Sequence, residues 1–130
     1  MQTTLDRRVA LDQIYGVTVI SFVGSSVALH GDLVQAISGP LLETAADEHP
    51  RILLDLKSVE FFNSSFIELL FRIWNRIRGK ESAQFALCNV HPYCREVLDV
   101  TNLTTVWKLF PTRDDALNAM QSEQLATVEH

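Results

Sequence analysis

The stretch RILLDLKSVEFFNSSFIELLFRIWNRI, residues 51–77, joins two apolar runs through a small polar knot, Asn63-Ser64-Ser65. Ile52 to Leu56 is a short apolar run of the kind found in an interior strand covered on both faces. From Phe66 to Arg78 the apolar residues are Phe66, Ile67, Leu69, Leu70, Phe71, Ile73, Trp74 and Ile77. At about 100° per residue they sweep an arc of roughly 200°, which reads as a helix with a broad buried face. Glu68, Arg72, Asn75 and Arg76 fall on the opposite face, with Glu68 and Arg72 at favourable i, i+4 spacing. The arc is wider than one core contact requires. The knot therefore sits where a buried strand hands over to a helix. Ser65, three residues before Glu68, has capping-box spacing. Ser64, one residue further out, would lie beside the positive end of the helix dipole, where a phosphate is stabilised. Capping, a phosphoacceptor and a nucleophilic serine are the three readings this spacing leaves open.

Outward from that stretch, Val9 to Ile14 and Val17 to Val23 are rich in β-branched residues, with Tyr15-Gly16 between them, and predict a tight hairpin. The segment 30–50 is helical in composition, and Pro40 predicts a break or kink near Ser38-Gly39. Gln84 to Val90 reads as a strand. Pro92 opens a helix to about Thr101, and Asn102 suits the left-handed residue that ends it, with Leu103 as the apolar contact. Val106 to Phe110 is a last strand. Thr112 caps a final helix, with Asp115 three residues on. The fold class expected is α/β: a mixed β-sheet with an N-terminal hairpin and helices packed against it. Residues 1–8 read as an N-terminal extension, 9–120 as one domain and 121–130 as a flexible tail.

The totals narrow the function. At 130 residues, 47% hydrophobic and 21% charged, the chain has the composition of a single globular domain. A formal charge of −5 argues against nucleic acid, which demands basic surface. No apolar run reaches the roughly 18 residues of a membrane span, and the first twelve residues lack a signal-peptide core, so a cytoplasmic protein is expected. Cys88, His91 and Cys94 fall short of a metal site because no fourth ligand is nearby; both cysteines read as structural thiols, and no metal or cofactor is expected. Arg72, Arg76, Arg78 and Lys80 read as a solvated basic edge. A serine hydrolase would need an elbow glycine on each side of the nucleophile and a paired histidine, and neither pattern is present, so no catalytic residue is assigned.

The block ILLDLKSVEFFNSSFIELL resembles the signature of STAS domains, the fold of bacterial anti-sigma factor antagonists and of sulfate-transporter tails. The family pattern is an apolar strand, Asp-Leu, Val-x-Phe, then Asp-Ser-Ser-Gly opening a helix. Asp55, Leu56, Val59, Phe61, Ser64, Ser65 and Leu70 match it. NVHPYCREVLDVTNLTTVWKLFPTRDDAL, residues 89–117, is similar to the second half of the family, so the resemblance runs from about Val9 to Met120. It implies a regulatory binding module rather than an enzyme. The first serine of the pair, Ser64, would be phosphorylated by an anti-sigma factor that is also a serine kinase, and a phosphatase would restore binding. The alternative within the family is a STAS adaptor that works without phosphorylation. The chain departs from the pattern where Asn63 replaces Asp and Phe66 replaces Gly. It also offers Ser25 and Ser26 after Gly24 where acidic residues are usual. Asn63, Ser64, Ser65, Phe66 and Phe71 are the residues expected at the partner or dimer surface, with the two rings either part of an exposed apolar patch or a covering tucked over the sheet's end.

Overall fold

The computed structural model describes the backbone of residues 2–6, 9–24 and 27–128 and the side chains of 9–24 and 27–122. Ser25 and Ser26 lie outside the described residues. In chain order the elements are β1 (Gln2–Asp6), β2 (Val9–Ile14), β3 (Val17–Phe22), β4 (Val27–Leu29), α1 (Gly31–Thr44), β5 (Arg51–Asp55), β6 (Val59–Phe62), α2 (Ser64–Ile77), β7 (Gln84–Cys88), α3 (Pro92–Val100), a 3-10 turn (Leu103–Thr105), β8 (Lys108–Phe110) and α4 (Arg113–Val128).

The main sheet runs β1-β2-β3-β5-β7-β8, and a small second sheet pairs β4 with β6 in parallel. The first three strands are antiparallel; β3, β5, β7 and β8 are parallel. β5 is interior, as its apolar run demands. Its residues alternate between faces: Ile52 and Leu54 point into the large core under α1, α2 and α3, and Leu53 points into the smaller core under α4. All three are fully buried. Leu70, Ile73 and Ile77 bring the inner face of α2 into the large core. On the other face Ala116, Leu117 and Met120 of α4 cover Val17, Val19, Leu53 and Ala86.

The hairpin closes through Tyr15 and Gly16, with φ of 52° and 79°, the two left-handed positions that a two-residue turn between twisted strands requires. Arg51 reaches across beneath it. Its guanidinium donates to the Tyr15 carbonyl (2.9 Å), to Gln84 Oε1 (2.7 Å) and to the Met120 carbonyl (3.1 Å). A Cβ on residue 16 would meet Arg51 Nη1 at 2.8 Å, so space and φ both favour glycine here.

Four features differ from the sequence expectations. β1 pairs with β2, so residues 2–6 add a strand to the sheet. α1 continues unbroken through Gly39 and Pro40. Burial of Val34, Ile37, Leu41 and Leu42 along that helix outweighs the roughly 3 kcal/mol an interior proline costs. Helical backbone extends past Met120 to Val128. The last strand is shorter than expected: Leu103 to Thr105 form a 3-10 turn, and β8 begins only at Lys108. Asn102 does take the left-handed conformation (φ 60°), with Leu103 buried beside it. Thr112 Oγ1 accepts from the Asp115 amide at 3.1 Å, as a cap should.

Candidate functional site

The polar knot lies at the start of α2, and its geometry follows from Asn63. The Asn63 amide donates to the Leu29 carbonyl (3.2 Å), extending the β4–β6 pairing by one bond. Its Oδ1 accepts from the Ser65 amide at 3.0 Å, and its carbonyl accepts from Phe66 and Ile67. Asn63 is thus the N-cap of α2, with extended backbone. That corrects the capping-box assignment: Ser65 is the second residue of the helix, too far inside to cap it. Asparagine carries its carbonyl on a short arm that reaches the amide two residues on, which is the geometry a cap needs.

With the helix starting one residue earlier, Ser64 becomes its first residue. Ser64 and Ser65 are both exposed. Among the described residues nothing hydrogen-bonds the Ser64 hydroxyl. Phe66 is the second correction. Its side chain is fully buried, packed on Phe62 (ring centroids 5.4 Å apart) and edge-on to Phe22 (6.3 Å). Three residues into the helix, the ring turns inward under the sheet's end and is no part of the surface. Phe71 is 37% exposed and leans on the buried Trp107 at 5.1 Å. Seven residues separate it from Ser64, so the two share a helix face about 10 Å apart along the axis. Asn63, Ser64 and Ser65 lie together at the start of α2 with Phe71 two turns along, and Phe66 is withdrawn from the surface.

The residues that match the signature divide by task. Asp55 is buried and accepts from the Lys57 amide (3.0 Å), Asn89 Nδ2 (3.0 Å) and Arg113 Nε (2.9 Å). It ties the end of β5 to the β6 turn, to the end of β7 and to the start of α4. Arg113 also lies 3.9 Å from Asp12. Neither Asn89 nor Arg113 was visible as a partner of Asp55, because 34 and 58 residues separate them from it. Cys88, beside this cluster, has its thiol pKa pushed up to about 12, first by burial and then by the Asp55 carboxylate. Burial also raises the pKa of Cys94. Both are free thiols held in their protonated form.

Other candidates resolve into structural work. Lys80 Nζ donates to the Ala45 (2.7 Å) and Asp47 (2.8 Å) carbonyls, satisfying the C-terminal end of α1, while Arg72, Arg76 and Arg78 are exposed. His91 Nδ1 accepts from the Tyr93 amide at the start of α3 (3.4 Å). His30 packs edge-on against Phe61 (6.1 Å), and Phe61 stacks on Tyr93 (6.0 Å, 22° between planes). Sequence reasoning missed this exposed aromatic row. Phe61 enters the sequence reading only as a match to the family pattern, and only the β4–β6 pairing brings His30 to it.

The family model for the STAS domain matches residues 8–116. The chain belongs to the STAS domain family. A curated relative, an anti-sigma F factor antagonist of Paenibacillus polymyxa, is 24% identical over 116 residues, covering 89% of this chain and 94% of its own. Among solved structures, an anti-sigma-factor antagonist (STAS) domain protein from Planctomyces limnophilus superposes with a TM-score of 0.81 at 44% identity, covering 86% of this chain and 96% of that one. An anti-sigma factor antagonist from Mycobacterium paratuberculosis gives 0.73 at 28%, covering 87% and 92%. Among the described residues of this STAS protein, no helix is long and apolar enough to cross a membrane.

Proposed function

We propose that this STAS protein is a cytoplasmic, non-enzymatic anti-sigma factor antagonist whose binding is switched by phosphorylation of Ser64. The observation that carries the reading is the placement of Ser64: an exposed hydroxyl at the first position of a 14-residue helix, with no hydrogen-bond partner among the described residues. A phosphoryl group there adds about −1.5 to −2 charge at the helix's positive end, which stabilises the modified chain. The same charge is costly under a partner, because it must be stripped of water when the interface closes. Asn63, Ser65 and Phe71 supply the surrounding contact surface, with Phe71 two turns along the same face. The partner implied is an anti-sigma factor with serine-kinase activity, opposed by a phosphatase.

The test is incubation of the purified chain with ATP and each anti-sigma factor of the same organism, read by intact mass. A phosphate-sized increase that Ser64→Ala abolishes and Ser65→Ala leaves is the expected result. Modification confined to Ser65 sinks the assignment. Tight binding with no modification, unchanged in Ser64→Asp, establishes instead a phosphorylation-independent adaptor; the neutral Asn63 in place of an acidic residue favours that second reading.

A further inference from the structure

Helix α3 is apolar on two faces. Cys94 and Leu98 point into the large core. On the outer side, Tyr93, Val97 and Val100 recur at i, i+4 and i+7, a ridge about 10 Å long in which the part-buried Val97 also leans on the large core. Tyr93 is 50% and Val100 76% exposed. With Glu96 and Thr101 they line a shallow, mainly apolar groove, in which Glu96 is the one charged residue. The other charges of the helix, Arg95 and Asp99, lie 3.7 Å apart on another face and offset each other. At its N-terminal end the ridge continues through Tyr93 onto Phe61 and His30. Phe61 stands two residues before Asn63, and His30 follows the residue whose carbonyl holds the Asn63 amide. The apolar surface is therefore continuous with the start of α2.

We propose that this outer face of α3, extended by Phe61 and His30, receives a helix of the protein partner, one that carries an aliphatic ridge and a Lys or Arg opposite Glu96. A helix is the fitting occupant because an i, i+4, i+7 ridge interlocks with the ridge of another helix. An added strand would need a free sheet edge, which a helix face lacks. The cation follows from Glu96, which would otherwise be desolvated without a counter-charge. Half-exposed rings that already stack on one another are held in place before binding, so little side-chain freedom is lost on contact. The identity of the partner rests on the anti-sigma antagonist reading above; the surface itself does not.

Two arms separate the claims. In the first, the affinity of the full chain for each purified anti-sigma factor is measured for wild type, Val100→Arg, Glu96→Lys and Ser64→Asp. Val100 is exposed enough that an arginine there leaves thermal stability unchanged, which is checked alongside. Binding weakened tenfold or more by Val100→Arg and several-fold by Glu96→Lys supports the proposal. Binding lost in Ser64→Asp yet unchanged in Val100→Arg and Glu96→Lys overturns it while leaving the antagonist reading intact. If no anti-sigma factor binds wild type, that reading fails and the second arm decides. There, the isotope-labelled chain is titrated with a helical leucine-lysine peptide and with its leucine-glutamate counterpart. Amide shifts confined to residues 61 and 93–101, seen with the lysine peptide alone and abolished by Val100→Arg, support the surface. No shifts, or equal shifts with both peptides, overturn it. Concentration-dependent dimerisation abolished by Val100→Arg overturns the partner helix in favour of a second copy of this chain.

Discussion

Replacing Phe66 by alanine separates a core residue from a surface residue more sharply than any other change in the signature block. The ring is fully buried and packs on Phe62 and Phe22, in the large core between the sheet and helices α1 and α2. Truncating a buried phenylalanine to alanine costs about 3–5 kcal/mol, of which lost transfer energy is one part and the unfilled cavity the other. Two aromatic neighbours lose their edge and tilted contacts, each worth about 0.5–1.5 kcal/mol, which places the loss in the upper half of that range. Alanine's better helix propensity returns only about 0.5 kcal/mol. A net loss of about 3.5–4.5 kcal/mol is a large share of the 5–15 kcal/mol that holds a domain together. For a chain of this size it corresponds to a fall in Tm of roughly 13–16 °C. Urea unfolding followed by circular dichroism measures the loss directly. The Phe71→Ala variant, truncating a side chain that is 37% exposed, is the control and loses about 1–2 kcal/mol. A Phe66→Ala loss below 1 kcal/mol, or equal losses in the two variants, would refute the assignment of Phe66 to the core.

Three further outcomes are expected. Asn63→Ala removes the cap of α2 and lowers stability by about 1 kcal/mol, whereas Asn63→Asp keeps the cap, adds a charge at the helix N-terminus and raises stability by a few tenths, both read by urea titration. Arg113→Met leaves the Asp55 carboxylate buried without its cation and costs about 2–3 kcal/mol, less than a fully buried pair because Arg113 is about a third exposed; an Asp55→Asn, Arg113→Met double variant recovers part of that loss. The Cys88 thiol has a folded pKa near 12 against an ordinary value of 9.0, so the folded state holds its proton more tightly than the unfolded state. Its contribution is complete below pH 9 and fades as pH rises toward 12, so Cys88→Ala flattens the alkaline limb of stability against pH; an unchanged limb would show that burial of the thiol is not what steepens it.

The sheet was readable because its strands and helices carry strong local patterns. Ile52 to Leu56 could only be interior, the Phe66–Ile77 stripe could only be a packed helix, and Asn102 and Thr112 announced the ends they form. The errors have particular causes. Pro40 breaks helices by a local rule, but four buried side chains around it hold α1 intact. At Asn63-Ser64-Ser65 three good capping residues stand in a row, and the choice among them is made by the Asn63 amide binding Leu29, a contact 34 residues away in sequence. The family pattern has a glycine at position 66, which suggests open surface, but three residues into the helix a phenylalanine points its ring at the sheet. The aromatic row of His30, Phe61 and Tyr93 was illegible for the same reason as the partners of Asp55: each pair meets only after the sheet is assembled. The signature singles out Ser64, whose exposure follows from the helix register; its phosphorylation is the proposal made above.

Arg51 has a kinetic meaning. Its three hydrogen bonds span 36, 33 and 69 residues of chain, to the hairpin turn, to β7 and to α4. Each can form only once its own distant segment lies beside β5, so it closes a long loop whose entropy has already been spent. A bond of this kind is absent from an early folding nucleus and present only in the finished molecule. Its weight falls on the rate of escape from the native state rather than on the rate of arrival there. The guanidinium beneath the β2–β3 hairpin thus works as a latch on the lifetime of the folded protein: removing it shortens that lifetime and leaves the folding time as it was.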